Sequence, residues 1–577
     1  MLNETADEMM VTVEPAGQKG QSPDAAPAHS GTGSHLRHLA ILLLVSLCVL
    51  LPGLSLLPLT DRDEALYVQA SRQMMESHNW VDIRFQDNPR YKKPVGIYWL
   101  QGLTGLATGH GETSPLWVYR LPSLLGALLV GLFTYGIANR LSGPKAGLIA
   151  GLFAVTTVEL ALEARIAKTD AMLCATIVAS QFALIHACLD PERKQVFWRN
   201  ALFWLSLGLG ILIKGPMAPL IIGLTGLGIT LTERSFSLLR SLSPVRGMLA
   251  MAAVVLPWLI AIGVISGGDF FRESLGRDVL GKIATAQESH GAPPGTYLLV
   301  ALGTFWPLSV FASLAFVFAW KNRREKAVQF LFYWAVPAWL VFELTATKLP
   351  NYVLPMMPAL AVLSGVALTQ GGLRRDTWWF RFTYFGMAAG GLILGIGLNV
   401  ALYHLQGHVS FAGVALGLLV AAAGIVAWRL FLANRLMPGL AAMTVSAGLA
   451  YAMAYAVLLP QARDFWLSDR IAEAVASART CTDPQMIVVG YAEPSIVFRL
   501  GTRTRLVDGP QAAALFSEAD CAVAVVAEEN SAAFQTDLAR RGTPVSPTAT
   551  AIGRNVNGMK LRTMQVFAKP QNAVASR

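Results

Sequence analysis

Charged residues are scarce in this 577-residue chain, and their scarcity excludes an ordinary soluble domain. Only 14% of the residues are Asp, Glu, Lys or Arg, whereas 54% are hydrophobic. Soluble domains carry about 25% charged residues, so the composition indicates a polytopic membrane protein. The net charge of +10 does not indicate nucleic acid binding, because the basic residues form short clusters between apolar runs, as the positive-inside rule produces.

Motifs for metals and nucleotides are also lacking. The chain has no CxxC pair, no His cluster with metal-ligand spacing, no P-loop and no Rossmann glycine fingerprint. We therefore predict no metal ligands and no nucleotide cofactor. The sequence does not decide whether the protein uses a divalent cation.

Cysteine is rare as well, and only two of the five cysteines lie outside apolar runs. Cys48, Cys174 and Cys188 are in apolar runs, where a small hydrophobic side chain explains them. Cys481 and Cys521 lie in the polar C-terminal region. If that region is outside the cytoplasm, the two can form a disulfide.

The chain divides into three regions. Residues 1–36 are rich in Gly, Ser, Pro and Ala and predict a disordered cytoplasmic tail. Residues 37–460 contain about thirteen apolar windows of spanning length, and the first, at residues 39–59, predicts a retained anchor. Residues 461–577 predict a small soluble α/β domain, since strand-length apolar runs at 486–489 and 521–526 alternate with Ala-rich helical stretches and residues 559–567 alternate apolar and polar side chains.

Basic loops predict the orientation of the chain. Short clusters such as Arg140 with Lys145 fall on one side of the predicted spans, which is therefore cytoplasmic. An odd number of spans places the C-terminal domain on the opposite, periplasmic side. Two long loops, residues 60–115 and 266–295, face the same side, and the second has an amphipathic pattern expected to lie on the membrane surface.

Acidic residues directly after the first span are the first candidates for chemistry. In DEALY, Asp63 and Tyr67 share a helix face and Glu64 turns aside. Ionisable groups beside lipid tend to face a cavity or a charged substrate. The structural alternative is that Asp63 caps the helix or pairs with Arg62, and that Glu64 favours the helix dipole.

A second acidic segment, ELALEARIAKTDAML, is predicted to emerge on the same outer side. It brings Arg165, Lys168 and Asp170 toward the first loop. The alternative is an Arg165–Asp170 pair that ties a turn, with Asp170 as helix cap.

Three lysines stand at outer ends of spans beside Pro or Gly. They are Lys93 in YKKPVGIYW, Lys214 in ILIKGP and Lys348 in TKLPNY. Broken helices of this kind can hold an anion, so a phosphate role is predicted for Lys93 and Lys348. For Lys214 we favour a lysine that snorkels to the membrane interface.

Taken together, DRDEALY, YKKPVGIYWL, RLP, RIAKTD, LIKGP and KLPNYVLPMMP resemble motifs of a known family. This ordered set is similar to the aminoarabinose transferase branch of the polyprenyl-phosphate-dependent glycosyltransferases, which is related to the protein O-mannosyltransferases. The resemblance covers about residues 39–460. It implies a mostly α GT-C fold with about thirteen transmembrane helices and a small C-terminal α/β periplasmic domain, in the bacterial inner membrane.

The resemblance also implies roles for Asp63, Asp170, Lys93 and Tyr352, and neighbouring charged and tyrosine residues complete the expected site. The expected catalytic residues are Asp63, Asp170 and Glu64. The expected ligands of the donor phosphate are Lys93, Lys348, Arg165, Tyr352 and Tyr67. One position departs from the family, which often has Arg where this chain has Leu66, so Arg62 or Arg165 is expected to supply that cationic contact.

The implied reaction is inverting transfer of a hexose or pentose from a polyprenyl-phosphate donor such as undecaprenyl phosphate-sugar. Expected acceptors are lipid A, another glycolipid or a protein, and the sequence does not choose among them. Two alternatives stay open: a transporter or flippase of a lipid-linked sugar, and a membrane-anchored binding protein. The absence of an internal repeat argues against the transporter.

Overall fold

Helices dominate the chain as far as residue 461, and strands are concentrated after it. The structure is a computed structural model that describes residues 32–190, 196–281, 291–374, 376–555 and 559–569. Most of the predicted tail at residues 1–36, and residues 282–290 of the second outer loop, lie outside the described residues. The first helix begins at Thr32, so residues 32–36 are helical and do not belong to a tail.

The first half of the helical region runs to the second outer loop. Its helices are α1 (Thr32–Leu50), α2 (Asp63–Ser77), α3 (Gly96–Ala107), α4 (Leu116–Thr156), α5 (Val158–Glu163), α6 (Asp170–Leu189), α7 (Phe197–Lys214), α8 (Met217–Glu233), α9 (Ser237–Ser241), α10 (Pro244–Ile265) and α11 (Asp269–Phe271). A π-helical segment, Arg272–Leu280, follows α11. A two-stranded hairpin, β1 (Arg84–Phe85) and β2 (Asn88–Pro89), lies between α2 and α3.

The second half of the helical region follows that loop. Its helices are α12 (Thr296–Thr304), α13 (Ala312–Lys321), α14 (Lys326–Leu344), α15 (Met357–Gly371), α16 (Trp378–Leu392), α17 (Leu398–Gln406), α18 (Phe411–Leu432), α19 (Leu436–Tyr451) and α20 (Leu459–Gln461). Short 3₁₀ turns at Leu308–Phe311 and Pro350–Met356 and π-helical turns at Ile393–Gly397 and Ala452–Leu458 join some of them.

Long apolar helices account for the predicted spans. Within the described ranges, nine helices are long and apolar enough to cross a membrane, and ten if the bent pair Thr296–Thr304 and Leu308–Lys321 forms one span. The sequence windows number about thirteen because α4 contains two of them and because α7 and α8 are shorter or less apolar. The backbone of α4 breaks at Ser142 and Gly143, where Gly143 has a φ of 81° that glycine adopts without strain.

Helix α4 lies at the centre of the bundle, since it packs against α1, α6 and α15. Small residues permit these contacts. A Cβ added at Gly126 of α4 would lie 2.7 Å from backbone atoms of Ala171 and Met172 in α6, and such close backbone approach is how helices associate in lipid. The contact fixes the beginning of α6, where Asp170 lies, against α4.

The residues after Trp466 form a five-stranded mixed sheet in the order β4-β3-β5-β7-β6. Its strands are β3 (Gln485–Val489), β4 (Arg505–Leu506), β5 (Ala522–Ala527), β6 (Ala549–Arg554) and β7 (Leu561–Ala568). The helices of this region are α21 (Leu467–Ala478), α22 (Pro494–Leu500), α23 (Gly509–Glu518) and α24 (Glu528–Arg540). Strand β3 pairs in parallel with β4 and β5, and β7 pairs antiparallel with β5 and β6.

Helices cover both faces of this sheet. Val523 and Val525 of β5 pack in the core formed with α21 and α22, whereas Ala524 and Val526 pack in the core formed with α23 and α24. A strand buried on both sides is apolar throughout, which explains why AVAVVA does not alternate. The predicted fold class, a membrane helix bundle with a small C-terminal α/β region, is confirmed. Strands β4 and β6 were not predicted, because β4 has two residues and β6 exposes alternate side chains.

A disulfide joins Cys481 and Cys521, the pair that the sequence left open. The two residues precede β3 and β5, and the amide of Gln485 donates a 2.9 Å hydrogen bond to the carbonyl of Cys521. Their Cα atoms are 6.5 Å apart and the residues are 40 positions apart in the chain. Cys48, Cys174 and Cys188 are free thiols.

Replacing Cys481 and Cys521 by serine should destabilise the sheet by about 4 kcal/mol, because the crosslink removes the entropy of closing a long loop from the unfolded chain. The denaturant dependence of amide exchange in β3 and β5 measures this change. The Cys188→Ser variant serves as control and should match the wild type. Reactive thiols at positions 481 and 521 in the purified, unreduced protein would contradict the prediction.

Candidate active site

Helix α2 carries the predicted acid at its first residue. Asp63 is exposed and, among the described residues, makes no hydrogen bond or ion pair, although its charge acts on Arg90 and Lys168. Tyr67, one turn later, is buried beneath it. The Tyr67 ring lies 5.1 Å from the Arg90 guanidinium carbon and 5.4 Å from the Tyr98 ring. As predicted, Asp63 and Tyr67, four residues apart, share one face of α2.

Glu64 occupies a different environment from Asp63. Its carboxylate is fully buried and accepts bonds of 2.8 and 3.0 Å from Nε and Nη2 of Arg120. The amides of Thr60 and Ala167 also donate to it, at 3.0 and 2.8 Å. A substrate cannot reach a carboxylate whose two oxygens are both engaged inside the protein. The buried, fully bonded position of Glu64 does not fit the catalytic role that was expected of it.

Arg120 extends this connection to the end of the first span. Its Nη1 donates to the carbonyls of Leu54 and Leu57, at 2.9 and 2.6 Å, and its Nη2 donates to the carbonyl of Pro58 at 3.0 Å. All the hydrogen-bonding nitrogens of the guanidinium are thus used. One buried ion pair joins the residues before α2, the helix α4 and the loop before α6.

A small cavity of about 70 Å³ lies among α6, α8, α14 and the loops at their ends. The charged and hydroxyl side chains that line it are Lys93, Lys214, Asp278, Thr345, Thr347 and Tyr352, and the apolar ones include Leu173, Met217, Ile221 and Phe342. Lys93 and Tyr352, two of the predicted phosphate ligands, therefore meet in one place. Lys214, which the sequence suggested was an interfacial lysine, lies there too, and that interpretation is wrong.

Acids accompany the lysines of this cavity. Lys214 Nζ lies 2.5 Å from Asp170 Oδ1 and 5.6 Å from the Tyr352 ring centre. Lys93 forms an ion pair with Asp278 of the π-helical segment. A third lysine, Lys168, lies 3.0 Å from Glu163. Burial alone would lower the pKa of Lys168, but the charges of Glu163 and Asp170 raise it above the ordinary range, so this ammonium is positive at neutral pH.

The two acid-bearing segments and the cavity are close to one another. Lys168 interacts with the charges of both Asp63 and Asp170, and Asp170 interacts with Lys93 and Lys214. Within the described ranges no group of three or more His, Cys, Asp and Glu side chains could hold a metal ion. What the geometry offers is a set of fixed ammonium groups beside an exposed carboxylate.

Arg165, one of the predicted phosphate ligands, binds backbone carbonyls away from the cavity. Arg165 is fully buried, and its nitrogens donate to the carbonyls of Val49, Pro52 and Ala161 at 2.5 to 2.8 Å. Its guanidinium also lies 4.7 Å from the Tyr455 ring centre. We therefore correct the expectation that Arg165 contacts the phosphate, since it fastens its loop to the end of α1. Equally, it cannot replace the cation missing at Leu66.

Lys348 stands beside the cavity without lining it. Its Nζ donates to the carbonyls of Glu343 and Thr345, at 2.9 and 2.5 Å. Because Thr345 and Thr347 line the cavity, Lys348 shapes the wall that they form. The ammonium group has three N–H donors, so these two bonds leave one for another acceptor.

A second, larger cavity of about 450 Å³ adjoins Thr60 and Asp61. Apart from those two residues its wall is mainly aliphatic and aromatic, built from α17, α19 and the residues after them, including Leu394, Leu402, Tyr455, Leu458 and Trp466. The polar end of this cavity is two residues from Asp63. The two cavities share no lining residue, and Asp63 itself lines neither.

Asp61 also contacts the C-terminal region. Its Oδ2 accepts a 2.8 Å bond from the Ser495 hydroxyl and its Oδ1 a 3.2 Å bond from the Ser495 amide. Burial raises the pKa of Asp61 to about 6 in spite of these hydrogen bonds. A carboxyl with this pKa titrates just below neutral pH.

Comparison with known proteins shows what the chain is similar to. The family model of dolichyl-phosphate-mannose-protein mannosyltransferase matches residues 92–260. The undecaprenyl phosphate-alpha-4-amino-4-deoxy-L-arabinose arabinosyl transferase 2 of Pseudomonas fluorescens (strain Pf0-1) is 30% identical over 308 residues, which are 53% of this chain and 55% of that protein. The chain thus spans about half the length of this relative. The transferase of Pseudomonas paraeruginosa (strain DSM 24068 / PA7) is 28% identical over 425 residues, 71% of this chain and 75% of that protein.

A solved structure extends the match to nearly the whole chain. The crystal structure of ArnT from Cupriavidus metallidurans bound to undecaprenyl phosphate has a TM-score of 0.71 and 22% identity, and covers 95% of this chain and 99% of that one. The chain has the GT-C fold and is similar to the aminoarabinose transferases. The resemblance predicted from the motifs is thereby confirmed. In this GT-C chain the roles of the individual site residues stay predictions.

The Glu64–Arg120 pair yields a test of stability. Arg120→Ala should lower the free energy of unfolding by about 3–5 kcal/mol, because it leaves a buried carboxylate without its counter-charge. Arg503→Ala is the matched control, since the Arg503–Asp483 pair is 86% and 73% exposed and such pairs contribute less than about 1 kcal/mol. Chemical denaturation in detergent compares the two variants. Equal losses of stability would contradict the prediction.

Asp61 yields a test of pH dependence. Its pKa is about 6 in the folded chain and 3.8 ordinarily, so between these values the unfolded chain loses the proton first. Stability from this group is therefore full below about pH 4 and decreases as the pH rises toward 6. The melting temperature of the wild type minus that of Asp61→Asn should fall over this interval. A difference that is constant or rises, as expected for the exposed control Asp483→Asn, would contradict the assignment.

Proposed function

We propose that the chain is an integral membrane glycosyltransferase. It moves a hexose or pentose from a polyprenyl-monophosphate donor to lipid A, another glycolipid or a protein, with inversion at the anomeric carbon. The single observation that carries this proposal is the lysine-lined cavity next to Asp63. A site for a lipid-linked phosphate needs fixed cations at the end of an apolar volume, and this cavity has both.

The relatives support the nature of the donor. Several are named as undecaprenyl phosphate-aminoarabinose transferases, and ArnT of the same fold was solved with undecaprenyl phosphate bound. The donor is a phosphodiester with one negative charge, and the released polyprenyl phosphate is a monoester that gains a second. Lys93 and Lys214, with the Tyr352 hydroxyl beside them, are placed to stabilise that added charge. In a volume with apolar walls such stabilisation is worth more than it is in water.

The acids beside the lysines have a definite part in this mechanism. Asp170 and Asp278 hold the Lys214 and Lys93 side chains in position and balance their charge while no phosphate is bound. When a phosphate enters, it shares these ammonium groups with the carboxylates. The lysines are then already oriented, so little ordering entropy is lost at binding.

Asp63 is the residue that faces the acceptor in this proposal. A hydroxyl acceptor would give its proton to the carboxylate as it attacks the anomeric carbon. A phosphate acceptor is already ionised, and then Asp63 positions it and balances positive charge on the sugar. The second, aliphatic cavity beside Thr60 and Asp61 fits a lipid acceptor better than a protein, because its wall suits acyl chains.

Orientation in the membrane is part of the proposal. We place the N-terminus in the cytoplasm, the catalytic domain at residues 37–460 in the inner membrane, and residues 461–577 in the periplasm. Basic loops on one side support this topology. The Cys481–Cys521 disulfide supports it independently, because disulfides persist in the oxidising periplasm.

The transporter alternative is not favoured. A transporter of this kind carries its substrate site near the middle of the membrane between repeated halves. Here the ionisable residues of the cavity lie at helix ends, with Lys214 at the end of α7 and Asp170 at the beginning of α6. The other alternative, a membrane-anchored binding protein, leaves this cluster of ionisable residues without a role.

Activity provides the test. Purified protein is incubated with radiolabelled polyprenyl-phosphate sugar, and transfer to extracted membrane lipids or proteins is counted. Asp63→Asn and Lys93→Ala should each lower the rate by about 10²–10³-fold, as removal of a transition-state contact does. Lys145→Ala, an exposed lysine of a basic loop, is the control and should be fully active. Wild-type rates in both site variants would refute the site, and lipid movement across the bilayer without transfer would favour the transporter.

A further inference from the structure

The helix that carries Asp63 is covered on its other side by the C-terminal sheet region. Gln69, Arg72 and Glu76 lie on one face of α2, opposite the face of Asp63 and Tyr67. Thr502 connects two of them, since its hydroxyl accepts a 2.7 Å bond from Gln69 and donates one of 2.7 Å to Glu76. This face of α2 therefore contacts the C-terminal region.

Arg72 is the strongest of these contacts. Its Nη1 donates to the Phe498 carbonyl at 2.7 Å, and its guanidinium carbon lies 3.9 Å above the Phe498 ring. The same ring packs with Ala65 and Val68 of α2 in a small buried cluster. Helix α22, which contains Phe498, is thus docked along α2.

Two polar contacts hold the residues just before Asp63. The Ser495 hydroxyl and amide donate to Asp61, and Arg62 Nε donates to Glu493 Oε2 at 3.2 Å. Asn555 in turn donates to Glu493 Oε1 at 3.0 Å. Both partners on the C-terminal side stand at the beginning of α22.

Ser495 is itself fixed by its surroundings. It is 1% exposed, and its hydroxyl lies 2.5 Å from that of Ser468 in α21, which lies 3.1 Å from the Tyr491 hydroxyl. A chain of hydroxyl groups therefore runs from the core of the sheet region to the Asp61 carboxylate. Such a buried network is rigid when its members are satisfied.

The beginning of α2 needs support of this kind. No side chain caps the helix at Arg62, and Asp63 has no hydrogen bond of its own among the described residues. The direction of the Asp63 carboxylate is therefore set by the backbone of residues 60–62. That backbone is held on one side by Glu64 and on the other by the C-terminal region.

We propose that Ser495 and Glu493, through Asp61 and Arg62, are positioning residues for Asp63, so that the C-terminal region sets the geometry of the reaction. The inference rests on the proposed function and adds to it residues more than four hundred positions away in the chain. Ser495 and Glu493 touch no substrate in this proposal. A displacement of about 1 Å at a reacting group can cost about 10²-fold in rate. Loss of a restraint on Asp63 should therefore lower the rate of transfer.

Ser495→Ala and Glu493→Gln test the proposal in the full-length protein. Each should lower kcat by about 10-fold or more, while the KM for the polyprenyl-phosphate sugar changes less than about twofold, because the lysine-lined cavity is untouched. The matched controls are Ser531→Ala and Glu529→Gln, which remove a buried hydroxyl bonded to Gln565 and an ion pair with Arg562 in the same region. Both controls should keep the wild-type kcat.

A double variant separates positioning from general damage. If Ser495 acts only through Asp61, Asp61→Ala and Asp61→Ala with Ser495→Ala should have the same kcat. Amide exchange at residues 62–66 should also be faster in Ser495→Ala than in Ser531→Ala. An unchanged kcat in Ser495→Ala, an equal loss in Ser531→Ala, or additive effects in the double variant would overturn the proposal.

The exchange measurement distinguishes this inference from the proposed function. If the wild type transfers sugar and Ser495→Ala leaves both kcat and exchange unchanged, the inference fails and the proposed function stands. If the wild type transfers no sugar, the proposed function fails. Exchange at residues 62–66 then decides alone whether the C-terminal region restrains the start of α2.

Discussion

A single buried ion pair, Glu64 with Arg120, is the constraint on which the candidate site depends. It joins the loop after the first span, helix α4 and the loop before α6, and these segments carry Asp63 and Asp170. A pair without solvent contact contributes little net stability over an apolar substitute, but its loss leaves a buried charge. In this molecule the pair fixes the relative positions of three segments, since the donors to the Glu64 carboxylate come from all three.

The cavity shows how a membrane protein can keep several cations in place without a ligand. Each lysine has a carboxylate partner, and the partners come from other segments of the chain: Asp170 from α6 for Lys214 and Asp278 from the second outer loop for Lys93. Opposite charges so arranged reduce the cost of burial. The same arrangement brings the second outer loop, expected from its pattern to lie on the membrane surface, into contact with the first.

Sequence patterns predicted the fold better than the site. Apolar windows fell on helices and the runs at 486–489 and 521–526 fell on strands, because hydrophobic periodicity reports local structure. Lys93 and Asp170 could be placed on one side of the membrane from the order of the spans, and Tyr352 could be placed with them from the family resemblance. Lys214 could not be told from a snorkelling lysine, and Glu64 and Arg165 looked available, because the guanidinium and carbonyl partners that engage them belong to distant segments. Which buried charge finds which partner is a property of tertiary packing.

The contact between α2 and the C-terminal region has a consequence for how the protein is made. Ser495 and Glu493 leave the ribosome more than four hundred residues after Asp61 and Arg62. At about 5–20 residues per second, that delay is on the order of twenty seconds to a minute and a half. During this time the face of α2 that binds the C-terminal region has no partner. The proposed restraint on Asp63 can therefore form only after the C-terminal region has been synthesised.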